Sequence, residues 1–127
     1  MRIFGIGTDI INIERIKKSL KNKSFIGRVF NIVEIKKCQK NINSVNCYAK
    51  RFAAKEAFSK ALGTGISKGL NFNEIIVENI KSGKPRIKLN SSAKKIVNKI
   101  IKKRKFNVFL SLSDDKPYAV ATVIISI

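Results

Sequence analysis

Histidine is absent from this 127-residue chain, and only two cysteines are present. Without an imidazole, the sequence excludes a Ser-His-Asp triad and a histidine-ligated metal. Cys38 and Cys47 are too few and badly spaced for a zinc site or a disulfide scaffold, so we expect two reduced thiols. No apolar run reaches the roughly 18 residues of a membrane span, and the N-terminus lacks a signal-peptide pattern. These absences predict a soluble, cytoplasmic protein.

Positive charge dominates the composition, because 27 Lys and Arg against 8 Asp and Glu give a formal net charge of +19. Such a surplus indicates an anionic partner: a nucleic acid, a phosphorylated ligand, an acidic protein or an anionic membrane. A genome biased toward Lys, Ile and Asn would produce part of the same surplus. Hydrophobic residues make up 44% of the chain, enough for a core, and the length predicts a single domain over residues 1–127.

Hydrophobic periodicity and turn residues predict strands separated by helices. The predicted strands cover residues 2–11, 72–80, 86–89, 106–113 and 118–127. The predicted helices cover residues 12–22, two short pieces within 24–40 that break near Asn31, 44–62 and a basic helix at 91–104. Gly63 ends the long helix, and turns are expected at residues 82–85 and 114–117. This order favours an α+β domain over a parallel α/β sheet.

Glu56 lies at an unexpected position in the long helix. At ~100° per residue it falls at the centre of an apolar stripe. The stripe consists of Val45, Tyr48, Ala49 and Phe52. A buried carboxylate costs several kcal/mol unless it is paired or bound to a metal. The alternative interpretation is a surface pair between Glu56 and Lys60, four residues apart, which is worth ~0.3–0.5 kcal/mol.

Asp9 is the second carboxylate in an unfavourable place. It lies inside the first predicted strand, which otherwise consists of apolar and small residues and is predicted to be buried. The alternative interpretation is a strand-end residue that caps the following helix. Asp9 and Glu56 together could hold one Mg²⁺, which takes one or two carboxylates and completes its shell with water and substrate phosphates.

Phosphate-binding features flank Glu56. Arg51 and Lys55 precede it, and Lys60 follows one turn later. The glycines of Gly63-Thr64-Gly65 would let a phosphate approach the backbone N–H groups closely, although a plain helix C-cap would look the same. The chain has no P-loop pattern.

Two segments carry a family resemblance. Residues 5–10 read GIGTDI, and residues 51–65 read RFAAKEAFSKALGTG. They resemble the two hallmarks of the 4′-phosphopantetheinyl transferases, and in particular the short bacterial type, the holo-[acyl-carrier-protein] synthases. Further agreement comes from Arg28-Val29-Phe30 with Glu34, from SGKP at residues 82–85, and from LSLSDD and YAVA at residues 110–115 and 118–121.

The resemblance implies a reaction and an assembly. Enzymes of this family transfer the 4′-phosphopantetheine group of coenzyme A to a serine of apo-acyl carrier protein in fatty acid biosynthesis, and adenosine 3′,5′-bisphosphate is the other product. The implied fold has an antiparallel sheet with a long central helix, in a homotrimer with active sites at the subunit interfaces. The implied cofactor is Mg²⁺, held by Asp9 and Glu56 against the pyrophosphate.

The resemblance also assigns roles to other residues. It implies that Lys60 stabilises pyrophosphate charge and that Glu56 accepts the serine proton, directly or through a water. The implied coenzyme A contacts are Arg51, Lys60, Gly63, Thr64, Gly65, Gly83, Lys84, Pro85 and Ser113.

The first helix is the implied docking surface for the carrier, which is acidic. Its basic residues are Arg15, Lys17, Lys18 and Lys21, with Ile16 and Leu20 between them, and Arg28 follows. Complementary charge would raise the association rate and orient docking. The basic residues of 94–105 read as a solvated face.

One position departs from the family pattern, because Asp114 stands where members commonly carry His. Asp114 is either a turn residue without a role in catalysis or an additional metal contact. The rival class is a small basic nucleic-acid-binding protein, but no aromatic RNA-binding motif or helix-turn-helix pattern is present, so we expect no nucleic-acid partner.

Overall fold

The structure is a computed structural model that describes residues 1–65 and 69–127. Its strands are β1 (Ile3–Asn12), β2 (Ile75–Asn79), β3 (Pro85–Leu89), β4 (Asn107–Asp115) and β5 (Tyr118–Ser126). Its helices are α1 (Ile13–Ser19), α2 (Lys23–Val29), α3 (Ile32–Gln39), α4 (Ser44–Leu62) and α5 (Ser91–Ile101). None of the helices in these two ranges is long and apolar enough to cross a bilayer.

The strands form two antiparallel sheets, one with the order β1-β5-β4 and one that pairs β2 with β3. Helix α4 packs across the inner face of the larger sheet. The α+β class, the antiparallel sheet and the long central helix predicted from the sequence are confirmed. The main core lies between α4, the larger sheet, β2 and α5, around fully buried residues such as Phe58, Val77, Val97 and Val123.

Helix ends follow the sequence signals. Asn12, Asn22 and Asn31 each accept a backbone N–H through the side chain and so cap α1, α2 and α3. Gly63 adopts φ 83° and ends α4 in the left-handed conformation, as expected. The predicted strand at residues 72–80 differs, because Phe72–Glu74 form a 3₁₀ turn before β2 begins.

Helix α4 is buried on most of its circumference, so the prediction that Glu56 lies at the centre of an apolar face is wrong. Residues such as Ala53, Ala54, Lys55 and Phe58 are inaccessible, whereas Glu56 is half-buried. A helix between a sheet and other helices has no wide polar side, so a helical wheel cannot locate its solvent-exposed side.

The outer face of the larger sheet is apolar and exposed, although the sequence predicted β1 to be fully buried. Ile6 and Ile10 of β1 are 65% and 61% exposed, and Phe109 of β4 is 47% exposed. Ile6 and Phe109 both lie beside Ile124 of β5. Only the inner face of β1 is therefore covered within one chain.

Cys38 and Cys47 form a disulfide, with their Cα atoms 5.4 Å apart, so the expectation of two reduced thiols is wrong. Cys38 lies near the end of α3 and Cys47 in the first turn of α4. The turn between these helices brings two cysteines together that the sequence pattern did not pair.

Candidate active site

Two glycines of β1 bring Asp9 to α4. A Cβ atom at Gly5 would lie 1.9 Å from the carbonyl oxygen of Ala61, and one at Gly7 would lie 1.9 Å from that of Ala57. Both obstacles are backbone atoms, so only glycine permits strand and helix to pack this closely. Because alternate residues of a strand share a face, Asp9 follows Gly5 and Gly7 toward α4.

Asp9 forms an ion pair with Lys60 of α4. Lys60 Nζ lies 3.1 Å from Asp9 Oδ1 and donates to the carbonyl oxygen of Thr8 at 3.0 Å. The alternative surface pair between Lys60 and Glu56 is not among the ion pairs of the described residues. Lys60 is half-exposed while the Asp9 side chain is 15% exposed, so a cation lies at the rim of a partly buried carboxylate.

Glu56 lies beside Asp9 and Lys60, and we call these three side chains the carboxylate group. Burial is the main cause that raises the pKa of its carboxyl; the nearby Asp9 raises it further, and Lys60 opposes the shift. Glu56 is one helical turn from Lys60 on the same side of α4, and it is near enough to Asp9 for the two charges to interact. Across residues 1–65 and 69–127 no cluster of three or more His, Cys, Asp or Glu could hold a metal.

The end of α4 is a C-cap. The N–H of Gly63 donates to Lys60 O at 3.0 Å, and the N–H of Gly65 donates to Ser59 O at 3.3 Å. The backbone donors of Gly63 and Gly65 are therefore engaged by carbonyl oxygens of α4, as in the plain-cap alternative. Thr64 Oγ1 donates to the carbonyl oxygen of Gly65.

A second feature is a groove of about 770 Å³ at the other end of α4. Arg51, which is 5% exposed, lines it, and its Nη2 donates to Asn79 Oδ1 at 3.0 Å. Asn79 in turn donates to the carbonyl oxygen of Gly83, whose φ of 90° shapes the β2–β3 turn. The lysines on the wall of this groove are Lys37, Lys50 and Lys81. The groove thus combines four cations with a glycine turn, which suits a phosphorylated ligand.

Only some of the predicted coenzyme A contacts line the groove. Gly83 and Pro85 line it together with Arg51, but Lys84 is not among its lining residues. Ser113 does not line it either, and by strand alternation it lies on the outer face of β4 with Phe109. Asn79 and Lys50 also line the groove, and they were not selected from the sequence. The position of Asn79 at the end of β2, directly before the turn, was the available signal.

Asp114 lies in β4 rather than in a turn, and it lines the groove. Asn46 donates to it at 3.0 Å, and Lys50 Nζ lies 3.5 Å away. In the sheet register Asp114 is two strands across and two residues along from Asp9, which corresponds to ~12 Å. Asp114 therefore holds groove residues of α4 in place, and its position does not favour the additional metal contact.

The basic residues predicted to bind the carrier are all solvent-exposed; they are Arg15, Lys18, Lys21 and Arg28. Helix α1 begins at Ile13, four residues after Asp9, so this surface follows Asp9 closely along the chain. Ile16, however, is only 2% exposed and belongs to the second core cluster, so it cannot also contact a partner. Leu20 remains half-exposed.

The groove and the carboxylate group lie on different sides of one helix. Arg51 and Lys60 are nine residues apart, which is ~13 Å along α4 and about half a turn around it after whole turns are removed. Glu56 is rotated ~140° from Arg51 by the same geometry. One ligand bound by both groups within a single chain would have to wrap around the buried helix.

Comparison with known proteins identifies the family. The family model for the 4′-phosphopantetheinyl transferase superfamily matches residues 5–123. The chain belongs to this superfamily. A holo-[acyl-carrier-protein] synthase of Pelagibacter ubique is 54% identical over 125 residues, which cover 98% of each chain. The resemblance noted in the sequence is confirmed, and the chain is a holo-[acyl-carrier-protein] synthase.

Solved structures of other synthases share the fold. The enzyme of Neisseria meningitidis matches with a TM-score of 0.88 at 35% identity, over 98% of this chain and 99% of that one. The enzyme of Bacillus anthracis, in complex with CoA (3′,5′-ADP), matches with a TM-score of 0.81 at 37% identity, over 99% and 98% of the two chains.

Proposed function

We propose that this synthase transfers the 4′-phosphopantetheine group of coenzyme A to a serine of apo-acyl carrier protein in a Mg²⁺-dependent reaction. The serine oxygen bonds to the phosphorus that carries pantetheine, and the bond from that phosphorus to the bridging oxygen breaks. The bridging oxygen leaves with adenosine 3′,5′-bisphosphate. The observation that carries the proposal is the meeting of Asp9, Glu56 and Lys60 at one edge of α4.

Asp9 and Glu56 fit a Mg²⁺ site. Asp9 and Glu56 repel each other as like charges, which contributes to the raised pKa of Glu56, and a divalent cation would relieve this repulsion. The described residues offer only these two acids at the site, in keeping with an ion that takes its remaining ligands from water and phosphate. When bound, Mg²⁺ supplies charge neutralisation and a template for the pyrophosphate.

The side chains of the chain itself position and neutralise the reactants. Lys60 is half-exposed and long enough to turn from Asp9 toward a pyrophosphate oxygen. Glu56 is the proposed proton acceptor, directly or through a water, because its carboxylate lies on the same side of α4 as Lys60 and interacts with Asp9. Phosphoryl transfer depends mainly on such positioning and electrostatics.

We infer that the complete site forms between subunits of a homotrimer. The exposed apolar face of the larger sheet, with Ile6, Ile10 and Phe109, supports self-association, since large exposed apolar patches mark protein interfaces. The separation of the two site features around α4 supports a shared site. Coenzyme A would place its phosphorylated adenosine in the Arg51 groove of one subunit and its pyrophosphate at Glu56 of the neighbour.

The acidic carrier would dock on the exposed cations of α1 and α2, next to the carboxylate group. These residues are Arg15, Lys18, Lys21 and Arg28. Their charge complements an acidic helix and would steer its association.

The test is transfer to apo-acyl carrier protein with coenzyme A and Mg²⁺, followed by mass spectrometry of the carrier. The wild-type enzyme should add one phosphopantetheine, and Glu56→Gln should add none while its circular dichroism stays unchanged. Glu78→Gln is the matched control, because Glu78 pairs with Arg86 on the small sheet. Near-normal turnover by Glu56→Gln would remove the proposed role of this carboxylate.

A further inference from the structure

Lys55 stands beside Glu56 in the signature segment, yet it cannot touch a substrate. Its side chain is 0% exposed. Its Nζ lies 2.7 Å from Glu34 Oε1, donates to the carbonyl oxygen of Phe72 at 2.9 Å and donates to that of Ile75. All three ammonium donors are therefore satisfied inside the protein. The expectation that Lys55 contributes to phosphate binding is wrong.

Glu34 is equally buried and equally occupied. Its Oε1 also accepts the N–H of Asn31 in the capping box of α3, and its Oε2 accepts the N–H of Val77 at 3.0 Å. The Glu34–Lys55 pair thus connects α3, α4, the 3₁₀ turn and β2 through charge-assisted hydrogen bonds, which are stronger than neutral ones.

This pair is linked to the coenzyme A groove through β2. Val77, held by Glu34, is followed two residues later by Asn79, which accepts from Arg51 and donates to the Gly83 carbonyl. Glu34 also acts on Arg51 electrostatically: burial lowers the pKa of the guanidinium, and the charge of Glu34 opposes that shift. Both the turn and the main cation of the groove therefore depend on the position and charge of one buried pair.

We propose that Glu34 and Lys55 are positioning residues for coenzyme A binding, because they fix β2, with Asn79 and the Gly83–Pro85 turn, against Arg51. The proposal rests on the proposed function in one respect, namely that the Arg51 groove receives the adenosine phosphate end of coenzyme A. The rival explanation is a pair that serves stability alone.

The two explanations differ in their effect on substrate affinity at matched stability. The test variants are Lys55→Met, the milder Glu34→Gln, and the double variant Glu34→Gln/Lys55→Met, in which neither position 34 nor position 55 carries a charge. Val97→Ala is the stability control, because Val97 is 0% exposed in α5 and does not line the groove. Each variant is assayed where circular dichroism shows it folded, for kcat, for KM of coenzyme A and of carrier, and for coenzyme A affinity by calorimetry.

We expect the test variants to weaken coenzyme A binding about tenfold or more, with smaller changes in kcat and in the KM for carrier. The double variant should recover stability over Lys55→Met without recovering coenzyme A affinity. The proposal is overturned if Val97→Ala weakens coenzyme A binding as much, or if the double variant recovers affinity together with stability.

Arg51→Met separates this proposal from the assignment of the groove. If Arg51→Met leaves coenzyme A affinity unchanged, the groove is not the adenosine site. The assignment of the groove and the positioning role then both fail. If Arg51→Met weakens binding while Lys55→Met behaves like Val97→Ala, the positioning role alone is refuted.

Discussion

Lys55 and Lys60 are five residues apart on the same helix, and each forms an ion pair with a carboxylate. The Lys55–Glu34 pair is completely buried and fully hydrogen-bonded, whereas Lys60 is half-exposed and pairs with Asp9 at the edge of the sheet. The buried lysine has its donors used by the fold, and the exposed one can release its partner. Of the two lysines in this segment, Lys55 is therefore used by the fold, and Lys60 is the one that we propose acts on the substrate.

Loss of the buried lysine should have the larger effect on stability. We expect Lys55→Met to lower the free energy of unfolding by ~3–5 kcal/mol, because it leaves Glu34 charged and unpaired inside the protein. Lys60→Met should change it by less than ~1 kcal/mol, since an exposed pair contributes little. Urea denaturation at pH 7 measures both, and equal losses would contradict the distinction.

The exposed lysine should have the larger effect on catalysis relative to its effect on stability. We expect Lys60→Met to lower kcat about 100-fold, because a charge that stabilises the developing phosphate charge is removed. Steady-state transfer to the carrier measures this change, with Lys95→Met on α5 as the control, because Lys95 is an exposed lysine that does not line the groove. A near-normal kcat for Lys60→Met would show that Lys60 does not contribute to catalysis.

A cation outside α4 shows whether the loss of any exposed positive charge changes the KM for carrier. Arg15→Glu should raise the KM for carrier about tenfold, equivalent to ~1.4 kcal/mol, and leave coenzyme A affinity unchanged. Lys36→Glu on α3 has the same charge change at another exposed site and is the control. If both variants change the KM for carrier equally, net charge rather than docking explains the effect.

The smallest effect concerns the protonation of Glu56 in the Mg²⁺-free protein. Burial and Asp9 both raise the pKa of its carboxyl, so protonation occurs at a higher pH than for an ordinary glutamate, ~4.3. Asp9→Asn removes a neighbouring negative charge and should move this pKa back toward that value. Carbon NMR titration of the Glu56 carboxyl measures the shift, and an unchanged or higher pKa would show that the two groups do not interact as described.

The sequence predicted the elements well where local signals are strong. The bounds of α4, its stop at Gly63 and the break at Asn31 follow from periodicity and capping residues. Asp9 and Glu56 interact electrostatically, as a shared metal site requires, but the prediction for Glu56 was partly wrong, because it lies on the half-exposed strip of a buried helix. Its surroundings depend on packing by distant segments, which periodicity does not contain.

Contacts between distant segments account for the remaining errors. Lys55 looks like any cation in the sequence, and only the fold places Glu34 beside it. The disulfide of Cys38 and Cys47 depends on the turn between α3 and α4. Likewise, Ile6 and Ile10 on the exposed face of β1 are residue types that a buried face also carries, so the sequence does not distinguish the two faces.

The most direct test is a crystal structure with coenzyme A and Mn²⁺ in place of Mg²⁺, in which anomalous scattering locates the metal. We predict one ion bound by both Asp9 and Glu56, in contact with the pyrophosphate, and adenosine in the Arg51 groove of an adjacent subunit. An ion bound elsewhere, or the two carboxylates turned apart with coenzyme A confined to one chain, would contradict the account.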